Sequence, residues 1–228
     1  MSSERPKLVV FDLDGTLLDS VPDLAIAADQ AVRALGYPGV SESQVRDYVG
    51  NGADILIGRA ISQSLEVHPD LGPELLQQAR VYFDRFYAET GHRLSQLYAG
   101  VKETLEKLHQ EGFTLAVVTN KPSHFVPEIL QQHQIAAYFS DVIGGDDFEK
   151  RKPDPIALNW LLEKYGCTPE QMVMVGDSKN DILAAKNAGC PSFGLTYGYN
   201  HGQPISDAGP DYVADNIAEL LDIVLVSA

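Results

Sequence analysis

Five short apolar runs set the frame of this chain. They read KLVVFDLDG, FTLAVVTN, SDVIGGDD, MVMVGDS and PSFGLTYG, and begin at residues 7, 113, 140, 172 and 191. Each has strand length, is rich in aliphatic and β-branched residues, and closes in Gly, Asp, Thr or Asn, as expected of strands covered on both faces. Helix-period stretches lie between most of them. GVKETLEKLHQEG puts Val101, Leu105 and Leu108 on one face and stops at Gly112. DPIALNWLLEKYG carries Ile156, Leu158, Leu161 and Leu162 and stops at Gly166, and NDILAAKNAG ends at Gly189. Strands alternating with helices at this spacing make βα units, and hence an α/β chain with a Rossmann-like parallel sheet.

One segment breaks the alternation. From about Asp19 to Gln96 no convincing strand is found, and the pattern predicts helices over roughly 22–35, 42–49, 52–66 and 73–90. A helical stretch between the first strand and the resumed alternation is an inserted all-helical domain. The expected organisation is a core of residues 1–18 and 97–228 with a helical domain over 19–96. Pro22 and Gly100 mark the two connections.

Composition narrows the chemistry. The chain has 17 Lys and Arg against 32 Asp and Glu, a formal net charge of −15. Nucleic acid and anionic membrane surfaces would be repelled, so neither is expected as a partner, and any anion site must be built locally. Cys167 and Cys190 form no CxxC pair and the six histidines form no HxxxH pattern, which leaves zinc unsupported. No apolar run approaches the ~18 residues of a membrane helix. The charged start, MSSERPK, has no apolar stretch behind it that would make a signal peptide. The expectation is a soluble cytoplasmic protein.

Ligands of an open parallel sheet bind beyond the carboxyl ends of its strands. Beyond the first run come Asp12, Asp14, Gly15 and Thr16; beyond the second, Thr119, Asn120 and Lys121; beyond the fourth, Asp177, Ser178 and Asp181. Lys152 lies in KRKPDP, just ahead of a helix. Carboxylates gathered at one edge repel each other unless a cation holds them. Oxygen ligands without Cys or His select a hard ion such as Mg²⁺, whose shell is completed by water and substrate phosphate. Thr119, Asn120 and Lys152 are donors suited to an oxyanion, and Gly15 lets backbone N–H groups approach it. That leaves Asp12 free to act as a nucleophile. Asp14 and Asp181 also suit turn or helix-capping roles, Ser178 suits an N-cap, Lys121 suits a solvated position before Pro122, and His201 suits a surface loop.

Taken in order, DLDGT, TN, KPDP and GDSKND resemble the four signature motifs of the haloacid dehalogenase-like superfamily, and the helical insert is similar to that superfamily's C1-type cap. The resemblance covers nearly the whole chain. It implies that Asp12 attacks the phosphorus of a phosphomonoester and forms an aspartyl-phosphate. It implies Asp14 as the acid that protonates the leaving group and then as the base that activates water. Mg²⁺ would be held by Asp12, Asp14 (through its peptide oxygen) and Asp177, with Asp181 and Ser178 behind them. Thr119, Asn120 and Lys152 would bind the phosphoryl group.

Within the superfamily, the acid at position 14 separates phosphoryl transfer from the dehalogenase branch, which lacks it. The phosphonate-hydrolysing branch needs a cap lysine, and this chain has no lysine between Lys7 and Lys102. In the insert, Gly50-Asn51-Gly52 breaks the helices and offers N–H groups at a helix start, either an anion site or a plain turn. VGNGA, VTNKP and YGYN together resemble the bacterial phosphatases of 2-phosphoglycolate, a two-carbon acid bearing a phosphate and a carboxylate. By that resemblance Gly50, Asn51, Gly52 and Arg46 belong to a cap substrate loop. The alternatives are a sugar-phosphate mutase of the β-phosphoglucomutase type, another small-phosphomonoester or pyrophosphate phosphatase, and a non-catalytic binding protein on the same fold. A monomer and a homodimer are both compatible with the sequence.

Overall fold

The computed structural model describes residues 6–225, so the first five residues of the charged start lie outside the described residues, as do 226–228 of the expected core. Strand β1 (Leu8–Phe11) is followed by β2 (Leu18–Asp19), helices α1 (Val21–Ala34), α2 (Glu42–Tyr48), α3 (Ala53–Ser62) and α4 (Pro73–Thr90), and then β3 (Gln96–Leu97). Alternation resumes with α5 (Val101–Gln110), β4 (Thr114–Val118), α6 (Val126–Gln132), β5 (Asp141–Ile143), α7 (Ile156–Tyr165), β6 (Met172–Gly176), α8 (Lys179–Ala188), β7 (Ser192–Leu195), β8 (Tyr212–Ala214) and α9 (Glu219–Val224).

Six strands form one parallel sheet in the order β5-β4-β1-β6-β7-β8. Strand period 2 splits each central strand between two cores. Val9, Phe11, Leu115, Val117, Val173 and Val175 pack on one face, and Leu8, Val10, Ala116, Val118, Met172 and Met174 on the other. Strand order reverses around β1, where Phe11 pairs with Val117 on one side and Val175 on the other. That register brings the residues just beyond β1, β4 and β6 to one level of the sheet edge, at a topological switch point.

The insert is helical, with α1 packed chiefly on α4 and α3 on both α1 and α4. Proline starts α1 and α4, whose first-turn N–H groups lack intrahelical partners in any case. A capping box closes the start of α2, with Ser41 N–H donating to Gln44 at 2.9 Å and Gln44 N–H to Ser41 Oγ at 3.3 Å. Helix α3 ends at Ser62 instead of residue 66, because Gln63 takes a left-handed conformation, φ 53°, and turns the chain. Two strands at the borders of the insert correct the strand-free reading: Leu18 and Asp19 pair antiparallel with Leu97 and Gln96, tying the entry to the exit. Segments of two residues carry no readable periodicity. No helix among the described residues is long and apolar enough to cross a membrane.

Candidate active site

Asp12 continues the line of β1, and its N–H still donates to Val175 O at 3.0 Å. Its Oδ1 accepts from Leu13 N–H at 2.7 Å and pairs with Lys152 Nζ at 2.9 Å. Lys152 Nζ also reaches Asp181 Oδ1 at 2.7 Å. The other oxygen of Asp181 accepts from Ser178 N–H at 3.0 Å and Ser178 Oγ at 2.8 Å, so Asp181 caps the start of α8 and pairs with Lys152 at once. Asp177, beyond β6, accepts from Thr16 Oγ1 at 2.7 Å and Tyr199 N–H at 2.5 Å. Its seat depends on glycine: a Cβ on Gly15, at φ +91°, or on Gly198 would stand 2.2 Å from Asp177 Oδ2.

Carboxylate oxygens of Asp12, Asp177 and Asp181 lie within 4.8 Å of one another, and all three residues are buried. Burial, reinforced by Asp181 and Asp14 and opposed by Lys152, pushes the Asp12 carboxyl up to about 6. Burial, then Asp181 and Asp12, hold Asp177 well above the usual carboxylate range. Burial alone favours the neutral amine of Lys152, but Asp12 and Asp181 more than offset it and keep the ammonium. Three buried acids, of which Asp12 and Asp181 share one ammonium, are short of positive charge, and all their ligand atoms are oxygen. The set fits a hard divalent cation.

The Asp14 carboxylate stands outside this triad. Lys121 Nζ holds both its oxygens, at 3.0 and 3.1 Å. Lys121 is buried, with its ammonium 4.6 Å from the centre of the Tyr87 ring on α4, so it is not the solvated residue the sequence allowed. Its link to Asp14 spans 107 positions, and no local pattern announces such a pair. Thr119 is buried and its Oγ1 accepts from Lys121 N–H at 3.2 Å. The Asn120 amide donates to the carbonyls of Gly50 and Lys152, each at 3.0 Å, so it joins the insert to the core. Asn180 donates to the same Gly50 carbonyl at 3.1 Å.

Gly50 and Gly52 therefore face the carboxyl edge of the sheet across the site. Arg151 Nη1 donates to Asn51 O at 3.2 Å. Between the two parts lies a cavity of about 30 Å³ lined by Asp12, Asp14, Thr119, Asn120 and Lys121 from the core and by Gly50, Leu56, Phe83 and Tyr87 from the insert. Arg46 does not join it; it lies near Asp19 (3.6 Å) and Glu42 (3.4 Å) and over the Tyr199 ring. His201 is no plain surface residue, since its Nδ1 meets Asp47 O at 2.7 Å and ties the loop after β7 to the insert.

A family model described as haloacid dehalogenase-like hydrolase matches residues 9–195. A phosphoglycolate phosphatase of Vibrio vulnificus is 72% identical over 228 residues, all of both chains. One of Pseudomonas putida is 47% identical, over 95% of this chain and 79% of its own length. The crystal structure of a predicted phosphoglycolate phosphatase from Haemophilus somnus superposes with a TM-score of 0.90 at 42% identity, covering 98% of this chain and 99% of that one.

Proposed function

The chain belongs to the haloacid dehalogenase-like hydrolases, and on that premise we propose that it is a Mg²⁺-dependent phosphatase that converts 2-phosphoglycolate to glycolate and phosphate. The observation that carries the chemistry is the buried triad of Asp12, Asp177 and Asp181, two of whose members pair with Lys152, with Asp14 held separately by Lys121. The substrate is supported by the relatives named phosphoglycolate phosphatase that match the full chain.

Asp12 supplies the nucleophile. One of its oxygens forms the new bond to phosphorus as the bond from phosphorus to the glycolate oxygen breaks. Asp14 gives a proton to that departing oxygen, then takes one from the water that attacks the aspartyl-phosphate and releases Asp12 and inorganic phosphate. Lys152 keeps Asp12 ionised and faces the phosphoryl oxygens, and Thr119 donates its hydroxyl to them. Asp12, Asp177 and the peptide oxygen of Asp14 would hold Mg²⁺, with Asp181 and Ser178 behind them, and the ion would supply neutralising charge where a loose transition state needs it. Residues 19–96 act as a cap on a core of 1–18 and 97–228. Gly50, Asn51 and Gly52 close over the substrate, whereas Arg46, grouped with them by the resemblance, stands beside Asp19 and Glu42. Every residue of the site comes from one chain, so the reading holds for a monomer or a homodimer. The net charge of −15 and the free thiols of Cys167 and Cys190 suit a cytoplasmic enzyme without nucleic-acid or membrane partners.

Phosphate release from a panel of phosphomonoesters, with and without Mg²⁺, tests this. The expected result is the highest kcat/KM for 2-phosphoglycolate and loss of turnover with EDTA. Preference for glucose 1-phosphate, or its isomerisation without phosphate release, would overturn the substrate or the reaction.

A further inference from the structure

The cavity between cap and core has an unequal distribution of charge. Asp12 and Asp14 face it from the core, and much of the rest of its wall is apolar, including Leu24, Val49, Leu56 and Phe83. Lys121 is the cationic side chain among its described lining residues. Lys152 is engaged by Asp12 and Asp181, and neither it nor Arg46 nor Arg151 is among the lining residues. An anionic leaving group in such a place meets two carboxylates and hydrophobic surface. Its desolvation cost is offset only by a buried cation of its own.

From this we propose that the Lys121 ammonium is the specificity-determining group that binds the carboxylate of the substrate. The inference rests on the phosphoglycolate reading above and deepens it, because it assigns the non-reacting end of the substrate to a residue. Lys121 sits beside the residues of phosphoryl chemistry, since it follows Thr119 and Asn120 at the end of β4 and its side chain reaches Asp14. A two-carbon acid has only a short link between its phosphate and its carboxylate, so the recognising cation must stand that near. The Tyr87 ring, contributed by the cap, lies against the ammonium and excludes water from it when the cap is closed. The ammonium has three N–H donors, so it can take a substrate carboxylate while keeping one contact to Asp14. The substrate class that follows is a phosphomonoester carrying a carboxylate close to the ester oxygen, and uncharged leaving groups are disfavoured.

The test compares 2-phosphoglycolate with 2-hydroxyethyl phosphate, which replaces the carboxylate by a neutral hydroxymethyl group, in the wild type and in Lys121→Met and Lys121→Gln. Both variants keep most of the side-chain length, and a thermal unfolding transition confirms which is folded; one folded variant suffices. The wild type is expected to favour 2-phosphoglycolate by at least about 100-fold in kcat/KM. Removing the ammonium lowers both reactions, since Asp14 loses a partner, but it is expected to cut that preference to less than about tenfold. A wild type without the preference would overturn the phosphoglycolate reading itself. A wild type with the preference and variants that retain it, because both substrates lose equally, would leave Lys121 as a positioning residue for Asp14 and overturn the inference alone. Failure of both variants to fold would also overturn it, since the lysine would then be required by the fold in the absence of any substrate.

Discussion

The seating of Asp177 is costly because its carboxylate is buried beside those of Asp181 and Asp12. Its two oxygens are fixed by Thr16 and Tyr199, and the space for them exists because positions 15 and 198 carry no Cβ. Gly15→Ala adds an atom 2.2 Å from the carboxylate at a backbone angle of +91° that L-residues rarely adopt. The predicted outcome is a folded protein whose Mg²⁺ requirement rises at least about tenfold, read from activity against Mg²⁺ concentration, because a carboxylate proposed to hold the metal is displaced. Asp12, Asp177 and Lys152 were legible in the sequence because each follows a strand end or precedes a helix, where the parallel sheet collects side chains. Lys121 was not, because its meaning comes from partners on β1's exit loop and on α4. Asn120 was read as a phosphate donor, yet its amide is hydrogen-bonded to the carbonyls of Gly50 and Lys152. Such a pairing depends on how the cap rests on the core, which no local pattern encodes.

At the scale of elements, the alternation of strands and helices fixed the sheet and hence the level of the site. The elements missing from the sequence reading are short ones: β2, β3 and β8, of two or three residues, the seven-residue α6 and the six-residue α9. They are too brief for a period to show and are held by tertiary pairing. The contact between elements that matters most for function is the junction of the loop before α3 with the start of α8 and the end of β4. Asn180 and Asn120 both donate to Gly50 O across it. Asn180→Ala removes one of these bonds. A single hydrogen bond contributes about 1 kcal/mol net, roughly a factor of five in an equilibrium constant. The prediction is therefore a fall in kcat/KM of about fivefold and faster amide exchange in the loop around Gly50, with unfolding temperature little changed. Unaltered exchange would show that the cap is held closed by other contacts.

At the scale of the whole molecule, the helical insert and the carboxyl edge of the sheet line one cavity, with Asp12, Asp14 and Lys121 on one side and Leu56, Phe83 and Tyr87 on the other. Stability of the whole is linked to the acids at the junction. The Asp12 carboxyl is raised from an ordinary 3.8 to about 6, so the folded protein binds that proton more tightly than the unfolded chain. Its contribution is fully present below pH 3.8 and is lost as pH rises through about 6, and Asp177 acts in the same direction. At neutral pH the metal-free protein therefore carries a penalty that the proposed Mg²⁺ would relieve. Calorimetry is predicted to find a larger Mg²⁺-induced rise in unfolding temperature at pH 7.5 than at pH 5, where protons compete for the same oxygens. The most direct test of the central claim, that Asp12 takes the phosphoryl group from a small phosphomonoester, is acid quenching of a single turnover with 2-phosphoglycolate and Mg²⁺, followed by proteolysis and mass spectrometry. A phosphoryl group assigned by fragmentation to Asp12, and absent together with phosphate release in Asp12→Asn, is the result predicted here; phosphate release by Asp12→Asn at the wild-type rate, or a phosphoryl group on another residue, would contradict it.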